Sequence, residues 1–315
     1  MSVFLSSVSG VLIILIMVVI GYILAEKKWF DENSTRLLSK LVTQIALPAY
    51  MITTIMRDFT AHDLKTLLPD LRYPVISMLI LFALSFAVSN ALHIKKSHAG
   101  LFSSMFFNSN TVFVGLPINL ALFGDKSLPY VLVYYMANTT FFWTLGVYLI
   151  QKDGMGKVKI DIWTTVKKVF SPPLMGFVVG VIFVILHIKL PAFIVSDLDY
   201  IGGLTIPLSM LFIGIAVSNA GISRMRLDRD SLGIIIGRFI FSPILMMILV
   251  LPSSMSDLMK QVFILQAAMP VMTNAPVVSK LYDADADYAA IMVTETTLLS
   301  IIVVPILMVI IKTMI

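Results

Sequence analysis

The chain has 315 residues, of which 58% are hydrophobic and 13% are charged, with a net charge of +5. A soluble domain carries about 25% charged residues, so this composition excludes an ordinary soluble protein. The charges lie in short clusters between apolar stretches of roughly 20 residues, the length that crosses a bilayer. The sequence therefore predicts an all-α polytopic membrane protein. The modest positive charge does not indicate a nucleic-acid partner.

Ten apolar segments follow one another along the chain. Each is predicted to form a helix, because lipid offers no partner to an unpaired backbone group. In chain order they are Ser7–Leu24, Leu37–Met56, Tyr73–Leu92, Ala99–Phe123, Leu128–Ile150, Val169–Ile188, Asp199–Ala220, Leu232–Leu251, Leu258–Tyr282 and Tyr288–Lys312.

Lysine and arginine distinguish the two sides of the membrane. The connections on one side hold 15 of these residues and those on the other side hold 7, and the richer side is cytoplasmic by the positive-inside rule. Both termini should then lie outside the cell membrane. Residues 1–150 and 169–315 each hold five spans, so the second repeat enters the membrane inverted relative to the first. Residues 151–168 form a cytoplasmic connection between the repeats.

Two spans are interrupted by polar residues and proline at matching positions of the two repeats. Pro117 and Pro276 are 159 residues apart, as are Pro48 and Pro207. Proline removes a backbone donor and clashes with the preceding turn, and paired interrupted spans indicate the binding site of a secondary transporter. Helix ends exposed by such a break attract anions. The predicted substrate-binding residues of the two breaks are Asn108, Asn110, Thr111, Gly115, Pro117, Thr273, Asn274 and Pro276.

Two ionisable residues lie inside spans, Arg238 in the eighth and Glu295 in the tenth. Both are predicted to lie roughly 10 Å below the cytoplasmic face, where an unpaired charge costs several kcal/mol. Three arrangements are compatible with this position. The two residues pair with each other, Arg238 binds the carboxylate of a substrate, or Glu295 carries a coupled proton.

The segment Asn110–Ile118, followed by Leu122–Gly124, resembles the fourth-helix motif of the auxin efflux carrier family. Ala267–Pro270 and Lys280–Tyr282 are similar to the ninth-helix signature of that family. The resemblance covers essentially the whole chain. Bacterial members include malate and malonate permeases, and plant members are the PIN-type auxin carriers.

The resemblance implies a fold of ten helices in two inverted five-helix repeats, in which broken helices four and nine cross. It also implies a scaffold beside a mobile transport domain, a homodimer, and a carboxylate-binding asparagine at Asn110. The chain departs from the plant carriers in its short central connection. It also departs in its third span, Tyr73–Leu92, which contains no charge.

The sequence therefore predicts a secondary transporter of small organic anions in the lipid bilayer of the cell membrane. The expected substrates are mono- or dicarboxylates such as malate. The expected mechanism is elevator-like alternating access. The coupled ion would be a proton, through Glu295, or sodium. The alternatives are a sodium-coupled symporter of the bile-acid type and a passive anion channel. An intramembrane enzyme is disfavoured, because no aspartate lies mid-span and no HExxH or GxSxG motif is present. No cofactor or metal site is predicted.

The orientation can be tested with reporter fusions. A reporter that is active only outside the cytoplasm should be active when it is fused after Ile315, because the termini are predicted to lie outside. The same reporter inserted near Gly154, in the connection rich in lysine, should be inactive. The opposite pattern of activity would overturn the orientation that the basic residues indicate.

Overall fold

The computed structural model describes residues 15–61, 67–154, 162–220 and 228–315. The start of the first predicted span and the middle of the predicted connection lie outside these ranges. Within them, helices account for nearly all of the regular structure, and strand-like pairing is confined to one isolated bridge between Ser109 and Val271. The prediction of an all-helical chain is confirmed.

The part of the chain before the connection forms eight helices within the described residues. They are α1 Leu15–Glu26, α2 Glu32–Leu41, α3 Leu47–Asp58, α4 Arg72–Ala91, α5 Ala99–Phe107, α6 Leu116–Phe123, α7 Leu128–Phe141 and α8 Val147–Gly154. Short π-helical turns join some of them without interrupting the helix. The turn Val42–Ala46 connects α2 to α3, and Phe142–Gly146 connects α7 to α8.

The rest of the chain forms nine more helices within the described residues. They are α9 Ile162–Val169, α10 Pro172–Ile185, α11 Ala192–Gly203, α12 Thr205–Ala220, α13 Arg229–Ile236, α14 Ser242–Val250, α15 Asp257–Ala267, α16 Ala275–Leu281 and α17 Ala286–Met314. A third π turn, Gly237–Phe241, connects α13 to α14.

Four helical stretches among the described residues are long and apolar enough to cross a membrane. They are Leu68–Ala91, Ala192–Asn219, Arg229–Val250 and Ala286–Met314. The second of these begins seven residues before the predicted start of the seventh span, at Asp199. Each of the ten predicted spans overlaps helical structure. The ten-span topology and its inverted repeats stay a prediction.

Proline explains where most of the π turns occur. In three of the four within the described residues, proline is the second residue after the turn: Pro48, Pro117 and Pro243. Proline has no N–H to donate to the carbonyl four residues earlier, and the wider turn moves the neighbouring bonds by one residue. Gly115 N, for example, donates to Asn110 O over 2.9 Å, a spacing of five residues. Such turns are frequent at functional sites.

Helices α3 and α10 approach each other closely through the GxxxG motif of α10. A Cβ atom added to Gly176 would lie 2.6 Å from the Cα of Pro48, and one added to Gly180 would lie 3.1 Å from the Cβ of Ile55. Small residues allow this approach, and van der Waals packing is the main attraction between helices in lipid. Gly176 and Gly180 thus allow α3 and α10 to pack closely.

The two interrupted segments lie in the interior of the molecule. Phe102, Phe106 and Phe107 of α5 are fully buried, as are Phe263 and Leu265 of α15. Large apolar side chains therefore surround the polar residues of the breaks, and the backbone there must find its hydrogen-bond partners inside the protein.

Candidate binding site at two helix breaks

The fourth and ninth predicted spans are both broken, and their breaks lie against each other. Helix α5 ends at Phe107, and the chain becomes helical again at the π turn Thr111–Gly115. Helix α15 ends at Ala267, and α16 begins at Ala275. Between these ends Ser109 pairs with Val271 in antiparallel orientation, and Asn110 N donates to Pro270 O over 2.8 Å. The sequence predicted both breaks, and the structure brings them into direct contact.

Side chains of other helices bind the backbone groups that the breaks release. Asn138 of α7 accepts from Ser109 N and donates to Ser109 O, both over 2.8 Å. The hydroxyl of Thr296 on α17 accepts from Val271 N over 3.0 Å. Each break is thus fixed by a helix that follows it in the chain. The sequence analysis missed both residues, because a single buried Asn or Thr in an apolar span gives no signal of its partner.

Arg238 binds the carbonyl ends of both broken helices. Its side chain is fully buried, and it donates from Nε to Met269 O and from Nη1 to Phe106 O, each over 3.1 Å, and from Nη2 to Ala267 O. In a continuous helix the carbonyl of Phe106 would accept from Asn110 N, which here bonds to Pro270 instead. A cation is favourable at a helix C-terminus because of the helix dipole.

A cavity of about 310 Å³ lies beside the breaks. Pockets for small molecules have volumes of about 300–1,000 Å³, so this one suits a small ligand. Four of the predicted site residues line it: Asn110, Thr111, Thr273 and Asn274. The remaining wall comes from other helices and turns, and its polar residues are Ser39, Thr43, Gln44, Tyr135, Thr139, Lys167 and Ser171.

Asn110 lines this cavity, and one of its side-chain atoms has no hydrogen-bond partner among the described residues. Its side chain is 2% exposed, and Oδ1 accepts from Phe113 N over 3.1 Å, which caps the start of the π turn. Nδ2 has no hydrogen-bond partner among the described residues. A buried polar group without a partner is costly, and this one becomes satisfied when an acceptor enters the cavity.

Six of the predicted site residues do not line the cavity: Asn108, Gly115, Pro117, Pro276, Arg238 and Glu295. Asn108 donates to Ser104 O of its own helix. Gly115 lies against Gln266, whose Oε1 would be 2.2 Å from an added Cβ. The structure thus gives these two residues roles in the packing of the break.

The structure places Arg238, a predicted substrate-binding residue, on backbone carbonyls and not in the cavity wall. Its guanidinium lies on the carbonyl oxygens of Phe106, Ala267 and Met269, away from the cavity wall. The sequence predicted a buried charge but not its partners, because the partners are backbone carbonyls of other helices. The residues around position 238 do not indicate them. Glu295 is fully buried on α17, next to Thr296.

Lys167 supplies a positive charge in the cavity wall that the sequence analysis did not assign. Lys167 lies near the end of the predicted connection, where residues Ile162–Val169 form helix α9, and α9 packs against α7 and the π turn Phe142–Gly146. The Lys167 ammonium lies 5.2 Å from the ring centroid of Trp163. The short amphipathic pattern of α9 was the available signal for this packing.

Comparisons with known proteins identify the family of the chain. The profile of a family described as "Membrane transport protein" matches residues 6–308. The chain belongs to this family, the auxin efflux carrier family. It is 28% identical to an uncharacterized transporter of Methanocaldococcus jannaschii, over 93% of this chain and 95% of that protein. It is 26% identical to one of Methanothermobacter thermautotrophicus, over 96% and 98% of the two chains. The protein is therefore a multi-pass membrane transporter.

The role of Asn138 can be tested by comparing two alanine variants of the same stretch of chain. Asn138→Ala leaves the N–H and C=O of Ser109 without their partner, and each buried unpaired group costs about 1–3 kcal/mol. We expect a clearly lower midpoint of thermal unfolding in detergent. Thr140→Ala should change the midpoint little, because the Thr140 side chain is exposed and its hydroxyl bonds to Met136 O of its own helix. Equal midpoints for the two variants would contradict a stabilising role of Asn138 at the first break.

Proposed function

We propose that the protein is a secondary transporter of small organic anions, such as mono- or dicarboxylates including malate, in the cell membrane. The observation that supports this best is the partnerless donor of Asn110 in the wall of a cavity that also contains Lys167. A carboxylate accepts hydrogen bonds and carries the charge opposite to that of lysine. Thr111, Thr273 and Asn274 add polar groups at the same wall.

The helix that follows the first break favours an anion as well. It begins at Thr111 and continues through the π turn to Phe123. Its first N–H groups and its dipole both attract negative charge. In this proposal Gly115, Pro117 and Pro276 shape the helix starts, and Asn108 supports the break from within α5.

The cavity wall combines two groups of helices, and a movement of one against the other would open and close it. Asn110 and Asn274 belong to the breaks, whereas Gln44 and Pro172 belong to the helices that pack together through the GxxxG motif. We propose that the breaks move with the substrate along the α3–α10 pair, in an elevator-like cycle. The family resemblance suggests a homodimer formed by the immobile part.

In this proposal the structure represents the state open to the cytoplasm. The residues at one end of the cavity, Ser39, Lys167 and Ser171, lie at the helix ends that the basic residues assign to that side. The opposite side is held closed by Asp125, which accepts from Arg57 Nη2 over 2.7 Å and from the hydroxyl of Tyr50. These contacts join α3 to the end of the fourth span.

The membrane potential restricts the direction of transport. Moving one charge against 100 mV costs about 2.3 kcal/mol, so importing a dianion costs about 4.6 kcal/mol. Uptake would need a coupled ion or exchange, whereas efflux could proceed down the potential. We propose Glu295 as the residue that carries a coupled proton, because it is fully buried and adjacent to Thr296, which holds the second break.

The coupling proposal predicts a selective defect in Glu295→Gln. The amide resembles a protonated carboxyl in size and polarity, so this variant should fold and exchange substrate across proteoliposomes. It should lose accumulation driven by a pH gradient, since no proton is bound and released. Normal pH-driven accumulation by Glu295→Gln would exclude Glu295 as the coupling group. Counterflow in the same vesicles separates a transporter from a passive anion channel, which shows none.

The binding site is tested most directly at Asn110. Asn110→Ala removes the Nδ2 donor, and a hydrogen bond to a charged group contributes about 1.5–3 kcal/mol, so affinity for malate or a related carboxylate should fall roughly 10- to 150-fold. Equilibrium binding to the detergent-purified protein measures this change. Asn110→Asp keeps an oxygen to accept from Phe113 N but replaces the donor with negative charge, so it should retain the cap and bind the anion at least as weakly.

The matched control is Ser103→Ala, on the helix that leads into the same break. Ser103 is fully buried and does not line the cavity. We expect its affinity to change by less than about threefold, or roughly 0.7 kcal/mol. Equal, small effects of Asn110→Ala and Ser103→Ala would show that the substrate does not bind at the first break.

A further inference from the structure

Arg238 occupies a point at which backbone carbonyls of two broken helices converge. Phe106 O comes from the end of α5, and Ala267 O and Met269 O come from the end of α15 and the residues just after it. All three residues are fully buried. The oxygens therefore form a small polar centre that water does not reach, and their common partner is a single positive charge.

Backbone carbonyl oxygens are common ligands of a sodium ion. In secondary transporters with broken helices, unwound backbone carbonyls and the C-terminal ends of half-helices coordinate the coupled cation. The dipole of each half-helix places partial negative charge at the same end. Here the guanidinium satisfies these oxygens with a charge that is permanent and covalently attached.

The local backbone is built to bring the guanidinium to this point. Arg238 belongs to the π turn Gly237–Phe241, and the preceding Gly237 packs directly on the ring of Phe106. A Cβ atom at Gly237 would lie 2.4 Å from the Phe106 Cδ2 atom. The absence of a side chain at position 237 thus lets the turn approach α5 closely enough for Arg238 to reach Phe106 O.

We infer that Arg238 is a built-in cation that fills a sodium-type carbonyl site at the helix breaks. The transporter therefore requires no sodium ion to hold its breaks together, and its stability does not depend on sodium. A second consequence, which rests on the proposed function, is that anion binding at Asn110 is independent of sodium. This assigns Arg238 a positioning role and argues against the sodium-coupled alternative.

The inference is tested by thermal unfolding in sodium chloride and in choline chloride at equal ionic strength, without substrate. The wild-type protein should have the same unfolding midpoint in both salts. Arg238→Ala leaves the three carbonyls without their cation and opens space for an ion, so it should unfold at a lower temperature in choline and regain stability in sodium. Arg238→Lys keeps a positive charge beside the carbonyls, so its midpoint should not respond specifically to sodium. Arg36→Ala, at an exposed arginine, should not respond to sodium.

Two results would overturn the inference. A wild-type protein that sodium stabilises specifically would show that a sodium ion binds in addition to Arg238. An Arg238→Ala protein that folds but gains no stability from sodium would show that the carbonyls do not form a sodium-type site. If Arg238→Ala does not fold, the wild-type and Arg238→Lys measurements still decide the first point. Since no substrate is present, these outcomes are separate from the binding assay on Asn110, whose failure would affect the proposed function alone.

Discussion

Broken helices in an apolar interior impose one requirement on this molecule: every backbone group that leaves its helix must find a partner inside the protein. Lipid offers none, and an unpaired buried group costs about 1–3 kcal/mol. The structure meets the requirement with side chains from helices remote in sequence, namely Asn138, Arg238 and Thr296. The contact between the two breaks supplies a further partner, because Asn110 N bonds to Pro270 O. The site is therefore rigid where its backbone is irregular.

Several side-chain atoms at the breaks have no hydrogen-bond partner among the described residues, including Asn108 Oδ1, Asn110 Nδ2 and Gln266 Oε1. Of these three residues, Asn110 is the one that lines the cavity. The oxygen of the same amide fixes the start of the π turn at Phe113 N. If the proposed anion binds at Asn110, one side chain joins the structure of the break to the recognition of the ligand, and a movement of the break would carry this side chain with it.

The sequence predicts the parts of this arrangement that depend on local physics. Apolar length predicts helices, and the polar residues and proline between Asn108 and Pro117 predict an interruption. The helix is broken at residues 108–110, whereas Pro117 follows a π turn in a helix that continues to Phe123. The relation between the breaks is different, because it depends on tertiary contacts. An offset of 159 residues pairs Gly115 with Asn274, but the residues that meet across the contact are Ser109 and Val271. Lys167 could not be assigned either, since its position depends on how α9 packs against α7.

The partners of Arg238 also limit how the substrate can be held. A guanidinium taken out of water costs several kcal/mol, and three hydrogen bonds to a charged donor, at about 1.5–3 kcal/mol each, offset that cost. Moving Arg238 onto a substrate carboxylate would release three buried carbonyls at once. In the proposed function, an anionic substrate would then be left to the neutral Asn110 and the exposed ammonium of Lys167. Such contacts bind an anion less tightly than a buried guanidinium would, which suits a transporter that must release its substrate on the other side of the membrane.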